Sequence, residues 1–146
     1  MRSMLSHERV TLSKLVWVGP LTIIVAAIAN VIVRTITVTF FGVPESFQYL
    51  QAPFVIGSTI IFLLMAMLAF VLVSRFAQRP IRFYRILAFV TLCVSLITPV
   101  MALVGLFPAP GMSLPIFWAM IVMHIVSAVI VVSLFTTLTR EQKIEA

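Results

Sequence analysis

No carboxylate falls inside any of the long apolar runs of this chain, which holds one cysteine, two histidines and four acidic residues in all. Each shortage closes off a class of function. A proton-coupled exporter of the small four-helix multidrug kind works through a membrane-buried acid, and none is present. Cys93 has no partner in the chain, which excludes an intrachain disulfide and a CxxC redox pair. With His7 in the N-terminal tail, there is no His-rich metal site and no paired-carboxylate site, and a Ser/His/acid arrangement lacks its acid. Charged residues make up 10% of the 146 positions and hydrophobic residues 62%. A typical soluble domain carries about 25% charge. A soluble catalytic domain is therefore excluded, and the expectation is a chain that is not an enzyme and carries no cofactor.

What is present is a set of apolar runs, Leu15–Val33, Phe54–Val73, Ile86–Phe107 and Ile116–Leu138. Each is long enough to cross roughly 30 Å of hydrocarbon as a helix. The fold expected is all-α: a polytopic membrane protein whose four transmembrane helices form an up-down bundle. It is a single domain, 1–146, with spans at about 15–36, 54–73, 86–107 and 116–138.

Charge sets the orientation. Arg2, Arg9 and Lys14 precede the first run; Arg75, Arg79, Arg82 and Arg85 fill the connection between the second and third; Arg140 and Lys143 lie in the tail. Four spans put these segments on one face, and the positive-inside rule makes that face, with both termini, cytoplasmic. The opposite loops hold a single charge, Glu45. Arg34 is the exception, at the outer end of the first span, where it can snorkel to the headgroups or pair with Glu45. Trp17 and Tyr84 are expected near the inner interface, Tyr49 and Trp118 near the outer one. The location implied is the cell inner (cytoplasmic) membrane. The net charge of +6 does not indicate nucleic acid, because the basic residues are spread over three short segments. Beside a bilayer, Arg75, Arg79, Arg82 and Arg85 would instead contact anionic lipid headgroups.

A secretory signal peptide is the competing account of the N-terminus, since basic residues, an apolar run and Ala27-Ile28-Ala29 occur in order. The apolar run, however, continues through Asn30 to Val33 and beyond. Cleavage would also leave three spans and place the arginine-rich loop and the tail on opposite sides. Pro20 and Pro99 lie within spans one and three, and each is expected to kink its helix. Pro44 and Pro53 bracket the first outer loop, which is either a short interfacial helix starting at Pro44 or a plain loop. The second outer loop, Pro108–Pro115, is a compact turn. The halves share no motif, so an inverted-repeat transporter is not supported.

The remaining polar residues sort by face. Asn30 and Arg34 share a helical face with Gly19, Ala26, Ala27 and Thr37. Ala88, Thr91, Ser95, Thr98 and Ala102 form a stripe on span three; His124 sits above Ser127 and Ala128; span two offers Gly57, Ser58 and Thr59. Small, weakly polar stripes are how membrane helices pack closely. Asn30, Arg34, Ser58, Thr98 and His124 all fall in the outer half of the bilayer. If their faces meet, they form an outward-facing polar pocket with Arg34 at its mouth and His124 toward its floor. His124 has three readings: a packing hydrogen bond to a neighbouring helix, a ligand or ion pocket, or an axial ligand to a haem- or chlorophyll-type group.

The run Arg82-Phe83-Tyr84-Arg85-Ile86-Leu87-Ala88, followed by Ser95-Leu96-Ile97-Thr98-Pro99 and Met123-His124-Ile125-Val126-Ser127-Ala128, resembles a family of small bacterial four-helix membrane proteins whose domain has no assigned function. Asn30 and the Arg79-Pro80 pair fit the same pattern, and the likeness runs from about Trp17 to Thr136. It implies an integral bacterial membrane protein of four helices and brings no substrate, cofactor or catalytic residue. The Cys-Cys-Gly loop of tetraspanins is missing, as is the CxxC of quinone-linked disulfide-forming enzymes. The function expected is an accessory or scaffold subunit, as a homo-oligomer or in a larger membrane complex. The alternatives are a small transport or ligand-binding protein using the outer pocket, or a cofactor-carrying subunit through His124.

Overall fold

The computed structural model describes residues 10–140, and among them four helical spans are long and apolar enough to cross a membrane. They are built from α1 (Leu15–Phe41), α2 (Ala52–Phe76), α3 (Pro80–Ser95) with α4 (Ile97–Leu103), and α5 (Leu114–Leu138). α1 packs on α2 and α5, and α3 packs on the same two helices from the other side, with α4 continuing along α5. The spans thus close into a ring. This is the expected four-helix architecture, a multi-pass membrane protein.

Helix ends follow backbone chemistry more closely than hydropathy. α1 runs past the expected boundary at 36 to Phe41, where Gly42 adopts the left-handed conformation (φ 62°) that a residue without a Cβ reaches at least cost. Its 27 residues would extend about 40 Å, more than the hydrocarbon thickness, so the helix must tilt or project. α2, α3 and α5 each carry proline at the first or second helical position, where the missing N–H has no partner to lose. Span three therefore starts at Pro80, six residues before the expected 86, and stops at Leu103 before Gly105 turns the chain with φ 78°.

The two internal prolines behave differently. α1 continues unbroken through Pro20, which lies near its start and frees only one early carbonyl. Pro99 falls in mid-span, and the helix breaks just upstream: α3 ends at Ser95, Leu96 is a turn, and α4 begins at Ile97. The cause is local. Pro99 has no N–H for the Ser95 carbonyl, and its ring crowds that same group.

Two apolar clusters hold the ends of the bundle. At the basic end, Leu15, Val18, Ala26, Leu63, Phe70, Val73, Tyr84, Val131 and Phe135 pack together. Phe70 meets Tyr84 edge-to-face at 4.8 Å, and its ring lies tilted against Phe135 at 5.4 Å. Tyr84 is buried and donates to the Ala66 carbonyl (3.3 Å), so it belongs to the core and not to an interfacial belt. Trp17 and Trp118 are exposed, as interface anchors would be. Gly19 sits where a Cβ would come within 2.6 Å of Met67 Sδ, so α1 and α2 approach closely through it.

At the other end, Val43, Phe47, Leu50, Val55, Ile116, Ala119 and Met123 form the second cluster. The 42–51 loop folds over the bundle as a cover. Its helical piece is a single 3-10 turn, Gln48–Leu50, beginning after Phe47 and not at Pro44. Tyr49 ties the two loops at this end, with its hydroxyl on the Pro108 carbonyl (3.2 Å) and its ring against Phe54 and Phe107. The chain closes on itself at the basic end, where Val10 bridges Arg140 and Thr11 N–H donates to the Thr139 carbonyl at 2.9 Å.

Candidate functional site

Between the two apolar clusters lies one polar layer, centred on Asn30. Its Nδ2 donates to Thr59 Oγ1 and to Ser127 Oγ, both at 2.9 Å, joining α1 to α2 and α5. Thr59 can accept because it has already given its own proton to the Val55 carbonyl (2.7 Å). Asn30 is 4% exposed, and both amide protons are used. The Oδ1 atom is buried without a hydrogen-bond partner.

The stripes explain why these three meet. Thr22, Ala26, Asn30 and Thr37 are buried along α1 at helical spacing, Val55, Thr59 and Leu63 along α2, and Ala119, Met123 and Val131 along α5 with Ser127 half-buried in register. α1 presents small or weakly polar residues and the neighbours present the larger ones, a division that lets the backbones approach.

The other members of the expected pocket go elsewhere. Arg34 donates through Nε to the Leu50 carbonyl at 2.7 Å, pinning the cover loop to α1; its partner is backbone, not Glu45. Ser58 is a neighbour of Thr59 but points its hydroxyl at the Val55 carbonyl of its own helix (3.2 Å). His124 is half-buried one turn from Ser127, and its Nδ1 bonds the Met120 carbonyl at 2.7 Å. Because a carbonyl only accepts, Nδ1 is the donor in this contact. Thr98 lies exposed on α4, just after the break in span three. Of the five, Asn30 alone joins the hydrogen-bonded layer, and Thr59 and Ser127 complete it.

Rotation selects Thr59 over Ser58 once one buried position on α2 is known. Val55, Thr59 and Leu63 are four apart and Val55 heads the buried stripe, whereas Ser58 lies about 100° around the helix. The same reasoning favours Ser127, three residues below His124 and four from both Met123 and Val131.

The second charged feature is the basic end. Arg75, Arg79, Arg82, Arg85 and Arg140 are exposed there, and Lys14 reaches the Arg140 carbonyl (3.3 Å). Glu45, the only acidic residue among those described, sits in the loop at the far end. Arg85 reaches sideways, its Nη2 donating to Thr136 Oγ1 on α5 at 3.3 Å. Arg79 and Arg82 instead line an open concavity of about 590 Å³ between the end of α2 and the start of α3. A smaller one of about 330 Å³ runs between α3 and α5 beside Arg85 and Ala128. Neither includes Asn30, Arg34, Ser58, Thr98 or His124.

Among the described residues no group of three or more His, Cys, Asp or Glu side chains could hold a metal ion. No curated protein and no solved structure matches the chain. The model of a family of unknown function, DUF6069, matches residues 10–141, which is nearly the whole chain and includes every span and the complete Asn30 layer; the protein belongs to that family.

Proposed function

We propose that the protein is a non-catalytic helical module of the cytoplasmic membrane, with both termini on the cytoplasmic side, that serves as an accessory or scaffold subunit by docking against other membrane helices, including its own copies. One observation carries this reading. Span three is 11% buried over its most apolar window, against 22–28% for the other three. Lipid covers an apolar side chain as well as a helix does. It serves less well a helix break that leaves the Ser95 carbonyl without its usual donor, or the hydroxyls of Thr91 and Thr98, which are exposed on the same span. A partner helix along α3 and α4 would satisfy those groups.

The test is native mass spectrometry of the protein extracted gently from its host membrane. A homo-oligomer or a larger complex that dissociates when Thr91 and Thr98 are replaced by Leu supports the docking role, and a bare monomer refutes it. The pocket reading keeps one observation in its favour, the buried and unpartnered Oδ1 of Asn30. A co-purifying small molecule that is lost in Asn30→Ala or His124→Ala would replace the scaffold role with ligand binding.

A further inference from the structure

The concavity at the α2–α3 turn has an order of chemistry that no protein partner is needed to explain. Phe76, Phe83 and Ile86 supply an apolar wall on the helices, while Arg79 and Arg82 supply positive charge at the turn. The volume, about 590 Å³, is in the range of ordinary ligand pockets, roughly 300–1,000 Å³. The arginines are also badly placed for the helix they begin. Arg79 is the N-cap residue of α3 and Arg82 lies in its first turn. That turn holds no acidic residue and the cap makes no side-chain hydrogen bond. The positive end of a helix dipole favours anions, so cations there are destabilising unless an anion joins them. Among the described residues no carboxylate stands beside this turn, Glu45 being at the other end; Glu8, Glu141 and Glu145 lie outside the described residues.

We propose that this concavity is a stoichiometric site for one anionic phospholipid, its headgroup phosphate held between Arg79 and Arg82 and an acyl chain lying against Phe76, Phe83 and Ile86. A free phosphate would satisfy the charge and leave the apolar wall unfilled. A neutral phospholipid would fill the wall and bring an ammonium group to an already cationic turn. The site is narrower than general attraction between a basic surface and a membrane. Arg75 is outside the lining and Arg85 is turned to Thr136, so neither takes part. It requires the membrane setting but no oligomer or partner, so it stands or falls separately from the scaffold role.

The experiment titrates the detergent-purified full chain with phosphatidylglycerol and with phosphatidylcholine of the same acyl length, and reads retained lipid by native mass spectrometry at fixed ionic strength. One phosphatidylglycerol per chain is expected to be held under conditions that strip phosphatidylcholine. Surface arginines contribute about a factor of five each to anionic-lipid binding, so Arg79→Gln with Arg82→Gln should weaken retention about 25-fold. Arg75→Gln with Arg85→Gln should leave it within about twofold. Phe83→Ala should weaken it with no change in charge. Equal retention of the two lipids by the unaltered chain overturns the proposal, whatever the variants do. Equal loss in both arginine pairs overturns it in favour of diffuse electrostatics. Displacement of phosphatidylglycerol by millimolar inorganic phosphate overturns the lipid assignment and leaves a simple anion site.

Discussion

Asn30 makes the interhelical side-chain hydrogen bonds of the central layer, and its two amide protons reach two different helices. Hydrogen bonds of this kind in membrane helices contribute about 0.6 kcal/mol on average and up to about 1.7. Asn30→Ala removes both and leaves a small void, so a loss of about 1–3 kcal/mol in reversible unfolding is expected. A double-mutant cycle with Thr59→Val should return a coupling of about 0.6 kcal/mol or more. Zero coupling would show that the contact does not hold the helices. Arg34 acts at a different place: Arg34→Gln should release the cover loop, seen as faster amide exchange at Tyr49–Gln51, with the helices unchanged. The sequence marked Asn30 as unusual for its depth but did not choose its partners. In helices apolar on every side, lipid-facing and core-facing positions have similar composition, so a hydroxyl at 58 and one at 59 look alike until Val55 and Leu63 are known to be buried. The separation of Thr98 and His124 from the layer has the same origin, because their depth was readable and their rotation was not.

The elements were more legible than their contacts, because hydropathy reports length directly. All four spans were evident from runs of apolar residues, and their ends moved by a few positions wherever proline or glycine, not polarity, set the boundary. Pro80 and Gly42 are the clearest cases. A kink was expected at both Pro20 and Pro99, since a tertiary amide cannot continue the ladder; α1 runs unbroken through Pro20, and at Pro99 the helix breaks outright. Pro99→Ala should restore a donor to the Ser95 carbonyl and join α3 to α4; amide-exchange protection of the new N–H at position 99 is the readout, since Leu96 N–H already bonds the Leu92 carbonyl at 3.0 Å. If that amide is unprotected in the variant, packing against α5 and not proline maintains the break. The cover loop was harder to read, because a 3-10 turn of three residues has too short a pattern to distinguish from a plain loop.

For the whole molecule the dominant fact is asymmetry of charge: five exposed arginines with Lys14 at one end, and one glutamate among the described residues at the other. Orientation follows if the positive-inside rule governs insertion. In a Cys93→Ser background, Glu45→Cys should react with an impermeant maleimide on intact cells, and Gln78→Cys only after the membrane is opened; the reverse pattern would invert the topology. The antiparallel bridge between Val10 and Arg140 has one more consequence. Bridged residues lie only about 5 Å apart, so a two-residue turn could connect them. The bundle is then a cyclic sequence of helices cut at one of its joints, and the cut can be moved. A circular permutant that joins 140 to 10 and opens between Gln78 and Arg79 would place its new ends on the same face as the old ones. Every helix would keep its direction through the bilayer, and the order of synthesis alone would change.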